Sequence, residues 1–434
     1  MKYALAFAAL LVACHHDEAP KPIETAQVAA ETDSKQMALA PTHENAAVDH
    51  QIAAAQSAAK KNPQKVDLWI ALGRAWVRKA REVEDPGYYL HADACADVAL
   101  AIAPEDTSAL GLRALVLLNQ HRFAEAEALA RTITTKRADD PVAWGNLSDA
   151  LLEMGRTEEA AKAAQTMVDL KPNLPSYARA AHFRWLAGDA AGAKAFYRHA
   201  IDAGADQRDP EPRAWVLVQT ANVFWNEGDA EGADAGYDMA LAAMSEYAPA
   251  LAGKARVALA KGDASRSAGL AKRAYDASPR AEMAWLLADA RAASGDSEGA
   301  KKAVELVVKD GKRGDARTLS IFWSTRNEHA AESLALAEKE AKTRGDAYTQ
   351  DTLAWALYRN ARFAEARAAS DKAIASGTRD ARLLYHAGAI RIAQGNTSEG
   401  REMVRKAIAL QPAFDAIGGP EATKLVNANA TASR

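Results

Sequence analysis

The sequence predicts an all-α protein: a solenoid of about ten helix–turn–helix units that follows a signal peptide and a flexible tether. The composition is the first indication. Much of the 49% hydrophobic fraction is alanine, aromatics are 6% and charged residues 26%, which resembles Ala-rich packed helices more than sheets. The second is a set of short polar breaks, each holding one of Gly155, Gly188, Gly228, Gly262, Gly295 and Gly395. The third is their spacing, which repeats along most of the chain.

At the N-terminus, residues 1–13 hold Lys2 and then an uninterrupted apolar stretch that ends in small residues, as a secretory signal peptide requires. The stretch is too short to span a bilayer, and beyond residue 14 no run of about 18 apolar residues follows. Leu11-Val12-Ala13-Cys14 resembles a bacterial lipobox. That resemblance implies cleavage before Cys14 and lipidation of its thiol, and an ordinary secretory signal is the alternative reading. His15 rather than Asp follows the cysteine, which by the same resemblance favours the outer over the inner membrane. The expected location is the bacterial cell envelope, with the chain facing the periplasm.

Residues 14–47 lack apolar periodicity and carry Pro20, Pro22 and Pro41, so they read as a lipidated cysteine and flexible tether. A flexible chain of that length reaches on the order of 30 Å. The second cysteine, Cys95, cannot pair with a lipidated Cys14 and is expected to be a free, buried thiol. Lys and Arg total 54 against 57 Asp and Glu, a net charge of -3, so there is no basic excess for a phosphate backbone. No nucleic-acid partner is expected, and the membrane is met only through the N-terminal lipid.

The solenoid is expected over residues 48–415, with a polar tail at 416–434. Five residues after each glycine of the breaks stands a small residue: Ala160, Ala193, Ala233, Ser267, Ala300 and Gly400. Glycine supplies backbone freedom for a turn between helices, and the small residue lets the second helix approach the first. Pro172, Pro279 and Pro412 stand where a second helix must stop. Extending the spacing places further turns at Gly87, His121, Arg326 and Ala361, with Ala92, Ala126, Ala331 and Ala366 as the small residues. Insertions are expected within 78–86 and near 203–212.

Trp144-x2-Leu147 with Gly155, Ala160 and Pro172, together with Phe123-x2-Ala126, Phe363-x2-Ala366 and Trp69-x2-Leu72-Gly73-x2-Trp76, resemble tetratricopeptide repeat (TPR) units. The resemblance covers roughly 50–415 and implies a right-handed α-solenoid whose first helices line a concave face. The sequences 351–358 and 380–388 are similar to the C-terminal units of bacterial TPR proteins without an assigned activity. In the family, the slot three residues before each turn projects toward the concave face. Here it holds Trp185, Trp225, Trp323 and Tyr358. Three residues earlier on the same helical face stand Asp149, His182, Asn222, Arg256, Asp289 and Trp355.

These ten residues are the groove-binding candidates. Aromatic anchors with isolated polar groups suit a protein or peptide segment, and the chain is expected to be a membrane-anchored envelope adaptor. A glycan-binding module, with the indoles as sugar platforms, is the alternative. Packing of the same aromatics between units is the bland reading of each.

Catalysis is not expected. His91-x3-Cys95, with Asp93 between, places two ligand types on one helical turn without a third or fourth nearby. His182 and His199 near Tyr197 read as contacts between paired helices. No phosphate loop, nucleophile elbow or HExxH motif appears, so no cofactor or metal is expected.

Overall fold

The computed structural model describes residues 33–42, 47–204 and 209–427, and every regular element among them is helical. A short helix, α1 (33–38), precedes α2 (Ala47–Lys61). Ten helical hairpins then follow one another. Units 1 to 3 pair α3 (Val66–Glu82) with α4 (Tyr89–Ile102), α5 (Thr107–Asn119) with α6 (Phe123–Lys136), and α7 (Pro141–Glu153) with α8 (Thr157–Leu170). Units 4 to 6 pair α9 (Leu174–Leu186) with α10 (Ala190–Asp202), α11 (Glu211–Asn226) with α12 (Ala230–Ala243), and α13 (Ala248–Ala260) with α14 (Ala264–Ala277). Units 7 and 8 pair α15 (Ala281–Ala293) with α16 (Ser297–Gly314) and α17 (Ala316–Arg326) with α18 (Ala330–Glu340). Units 9 and 10 pair α19 (Ala347–Arg359) with α20 (Phe363–Ala373) and α21 (Ala381–Ala393) with α22 (Thr397–Leu410), and α23 (Gly418–Asn427) closes the stack.

Local chemistry explains these boundaries. In units 4 to 7 the turn is Gly-Asp: the glycine is left-handed and Asp189, Asp229, Asp263 or Asp296 caps the next helix through its carboxylate. Units 2, 3 and 9 place Arg122, Arg156 or Arg362 after the left-handed residue, and each pairs with the Glu three positions on. Helices α8, α14 and α22 all end two residues before Pro172, Pro279 or Pro412. The small residues are buried at Ala92, Ala126, Ala160, Ala193, Ala233, Ser267, Ala366 and Gly400, while Ala300 is half-buried.

The structure departs from the sequence reading in four places. In unit 1 the left-handed residue is Glu84, not Gly87, because the expected insertion is absorbed by a longer α3 and a 3-10 turn at Pro86–Tyr88. In unit 8 both Asn327 and His329 are left-handed, and this lengthens the turn. Ala331 is therefore exposed, and Ser333 takes its place, bonding to Ser320 across the hairpin. The end of the expected tether is ordered: the Ala38 carbonyl accepts the Trp76 indole N–H at 3.0 Å, and His91 Nδ1 lies 2.8 Å from the Met37 carbonyl. The expected tail begins with α23, which lays Leu425 and Val426 on the last core cluster while Glu421 accepts from the Tyr385 hydroxyl.

The stack coils tightly enough to meet itself. Loops of units 1, 3, 4 and 5 touch segments one superhelical turn later in the chain: Glu84 with Arg280, Glu153 with Arg344, Gly188 with Gly377, and Trp225 with Gln411. The concave face is therefore the wall of a narrow lumen rather than an open groove.

A candidate binding lumen

The first helix of each unit turns one stripe of side chains inward, and across the lumen stand helix starts and loops from the next superhelical turn. Three cavities lie in series there. The first, about 420 Å³, is lined by Asp149, Leu152, Pro175, His182, Trp215 and Gln219 among others. His182 and Gln219 also line the second, about 470 Å³, with Trp185, Asn222, Trp225, Arg256, Arg317, Tyr348 and Arg382. Arg256, Glu282, Arg382 and Phe414 continue into the third, about 460 Å³, which adds Trp285, Asp289 and Asp415. Each is the size of a pocket that takes a small ligand or a few side chains.

Most charges in the lumen are already matched. Arg179 holds Asp149 through two bonds of 2.8 and 2.5 Å, and Arg317 lies 3.5 Å from Asp346. Asp289 is paired with Arg326, yet burial still pushes its carboxyl up to about 6. Burial also lowers His182, keeping its imidazole neutral near pH 7, and raises Asp380. Arg256 is different: it faces both the second and third cavities, and among the described residues it has no hydrogen-bond or ion-pair partner. Glu282 lines the same two cavities and is likewise unpaired.

Residues 111–175, from within α5 to the start of α9, match the family model described as tetratricopeptide repeat. Over this stretch the chain carries a tetratricopeptide repeat. Solved structures of similar architecture include PilW, a type IV pilus biogenesis factor, at 15% identity over 50% of this chain and 97% of that one, with a TM-score of 0.40. PilF of Pseudomonas aeruginosa shows 18% identity over 49% and 92%, with a TM-score of 0.36. A TPR protein from Parabacteroides merdae shows 14% identity over 58% and 98%, with a TM-score of 0.40. None of these likenesses bears on function. No curated protein matches the chain significantly.

Within this TPR fold, seven of the ten candidates reach the lumen: Asp149, His182, Trp185, Asn222, Trp225, Arg256 and Asp289. Trp185 and Trp225 present only an edge, at 6% and 5% exposure. The Trp185 indole donates to the Tyr348 hydroxyl of the next superhelical turn at 3.2 Å. Trp323, Trp355 and Tyr358 line none of the three cavities. Trp323 packs beside His329 in the lengthened turn of unit 8, and Trp355 is sandwiched between Tyr358 and His386, with centroids 4.7 and 4.0 Å away.

The sequence reading missed Trp215, the most open indole of the lumen at 38% exposure. It lies seven residues before Asn222 on α11, two turns along the same inward stripe, so following the stripe backward finds it. It also missed Glu282, Arg317, Tyr348, Arg382 and Phe414.

The remaining sequence candidates have structural partners. His91 stacks on Trp76 at 4.4 Å, and Cys95 is a buried free thiol whose pKa burial pushes up. Among the described residues no group of three or more His, Cys, Asp and Glu could hold a metal. His199 packs on Tyr177 of the paired helix, as expected of an interhelix contact. Cys14 lies outside the described residues.

Proposed function

We propose that this chain is a lipid-anchored adaptor of the bacterial cell envelope that holds an extended peptide segment of a partner protein in its lumen. A scaffold for protein–protein interaction is the role its family suggests. The single observation behind the finer reading is Arg256, a half-buried guanidinium aimed into two joined cavities with no partner. Its N–H donors face the cavities and are free to take a bound carboxylate or carbonyl. Unpaired Glu282 beside it offers the complementary acceptor. Gln219, Asn222 and Asn226 add side-chain amides that suit a peptide backbone, and Trp215 offers an anchor surface.

Three cavities in series suit an extended strand. The glycan reading has less support, because sugar stacking needs open indole faces: Trp185, Trp225 and Trp323 are each at most 6% exposed, which leaves Trp215, at 38%, as the open platform. Cys14, by its lipobox context, supplies the anchor, and His15 after it favours the outer membrane facing the periplasm. No catalytic role is proposed.

The test is photo-crosslinking in the native host, with a photoreactive residue in place of Gln219 in the lumen or Lys301 on the outer face. The expected result is a discrete protein adduct from position 219 alone. Adducts from position 301 with none from 219 would refute the reading.

A further inference from the structure

The contacts between successive superhelical turns form a seam beside the lumen, and they differ in kind from those between successive units. Neighbouring units share continuous helix-on-helix packing. Among the described residues, no helix of units 1 to 5 packs lengthwise on one of units 6 to 10 except where units 5 and 6 join in sequence. The seam is made of loops and helix ends instead. Gly345 N–H donates to the Glu153 carbonyl at 2.7 Å, and Arg344 Nη2 reaches the Glu153 carboxylate at 2.5 Å. Trp185 bonds to Tyr348, and Gln411 Nε2 donates to the Trp225 carbonyl at 2.5 Å.

Crevices flank the Glu153–Arg344 bond. One of about 500 Å³ is lined by His121, Phe123, Met154 and Arg344, and one of about 990 Å³ by Gly155, Phe183, Leu186, Gly345 and Tyr348 among others. The seam's apolar contacts include Tyr348 on the cluster around Trp185 and Ala413 on the cluster around Trp225; with large crevices beside them, opening the seam uncovers less apolar surface than parting two packed units.

We infer that the seam between units 3–5 and the loops at 344–346, 376–377 and 410–414 is a gate through which a chain enters the lumen sideways. It opens as one body while each unit stays folded. The biological use of this gate rests on the lumen being the binding site, but its opening is a property of the free protein. A solenoid permits this motion, since each unit contacts mainly its neighbours and small rotations at several interfaces add up along the stack. Glycines set how closely the seam shuts. A side chain on Gly345, whose φ is not left-handed, would collide with the Met154 carbonyl, so Gly345→Ala strains the seam without straining the turn itself.

Native-state hydrogen exchange of the full chain, followed by mass spectrometry, tests the gate without any ligand. In the wild-type protein, peptides covering 343–349 are expected to exchange at least about 100-fold faster than those from the middle of α9 and α19. Arg344→Ala and, separately, Gly345→Ala are expected to raise that seam rate about tenfold while leaving the helix-interior rates unchanged. One common rate for seam and helix interior in the wild-type chain would overturn the gate even if a variant failed to fold. So would both variants leaving the seam rate unmoved, or both shifting all segments together. None of these outcomes depends on crosslinking from position 219, so the gate and the binding reading fail separately.

Discussion

Trp355→Ala is expected to cost about 3–5 kcal/mol of stability, read as a lower urea midpoint at unchanged slope. The indole is 1% exposed, with His386 stacked on it at 4.0 Å and Tyr358 at 4.7 Å, and the Arg359 guanidinium 4.6 Å from its ring centre. Its loss leaves a cavity between units 9 and 10 that the helices cannot close without shifting α21. His386, itself 2% exposed and bonded to Asp351 at 2.9 and 3.0 Å, loses its stacking surface as well. A midpoint shift worth less than about 1 kcal/mol would show that Trp355 is not the core residue its burial makes it. Tyr358→Ala, at a half-buried position on the same helix, is expected to cost less.

The second large effect centres on Arg326 and is pH-dependent. Arg326 pairs with Asp289, and its guanidinium lies 4.0 Å from the Phe322 ring centre; the two side chains are 13% and 12% exposed. Removing one partner of such a buried pair costs roughly 3–5 kcal/mol, because the remaining charge is left in a poorly solvated site. Asp289 titrates near 6 in the folded chain against an ordinary 3.8, so the folded state holds its proton more tightly than the unfolded state. That contribution to stability is complete below about pH 4 and is lost as pH rises through 6. Arg326→Met removes the cation that opposes burial, so the loss should extend to higher pH. The variant is therefore expected to lose more stability at pH 8 than at pH 5 in parallel urea titrations. An equal loss at both pH values would show that the pair contributes only through packing.

What could be read in the sequence is what has a local cause. Left-handed glycines, buried small residues and helix-stopping prolines each act within one hairpin, so the ladder of units was legible residue by residue. Unit 8 was placed by its spacing, with a turn at Arg326, but its register was missed because two left-handed non-glycine residues, Asn327 and His329, lengthen the turn. Helices α1 and α23 are short and are held by docking: Trp76 grips the Ala38 carbonyl and Tyr385 grips Glu421. Their propensity alone gives no signal. The site divides in the same way. The inward stripe of α7 to α15 follows from helical period, whereas Arg317, Tyr348, Arg382 and Phe414 reach the lumen from the opposite wall. Their arrival depends on superhelical pitch, a sum of small rotations that no single unit encodes.

In the proposed function this lumen holds an extended peptide through Arg256 and Trp215. Its most direct test is a displayed library of linear peptides selected on the wild-type full chain, with the enriched peptides then measured against Arg256→Ala, Trp215→Ala and, on the outer face, Lys301→Ala. The account predicts that the two lumen substitutions each weaken binding at least about tenfold, the loss of one charged or anchor contact worth about 1.4 kcal/mol, while Lys301→Ala leaves it unchanged. Peptides that bind all three variants as tightly as the wild-type chain, or that lose affinity only with Lys301→Ala, would contradict it.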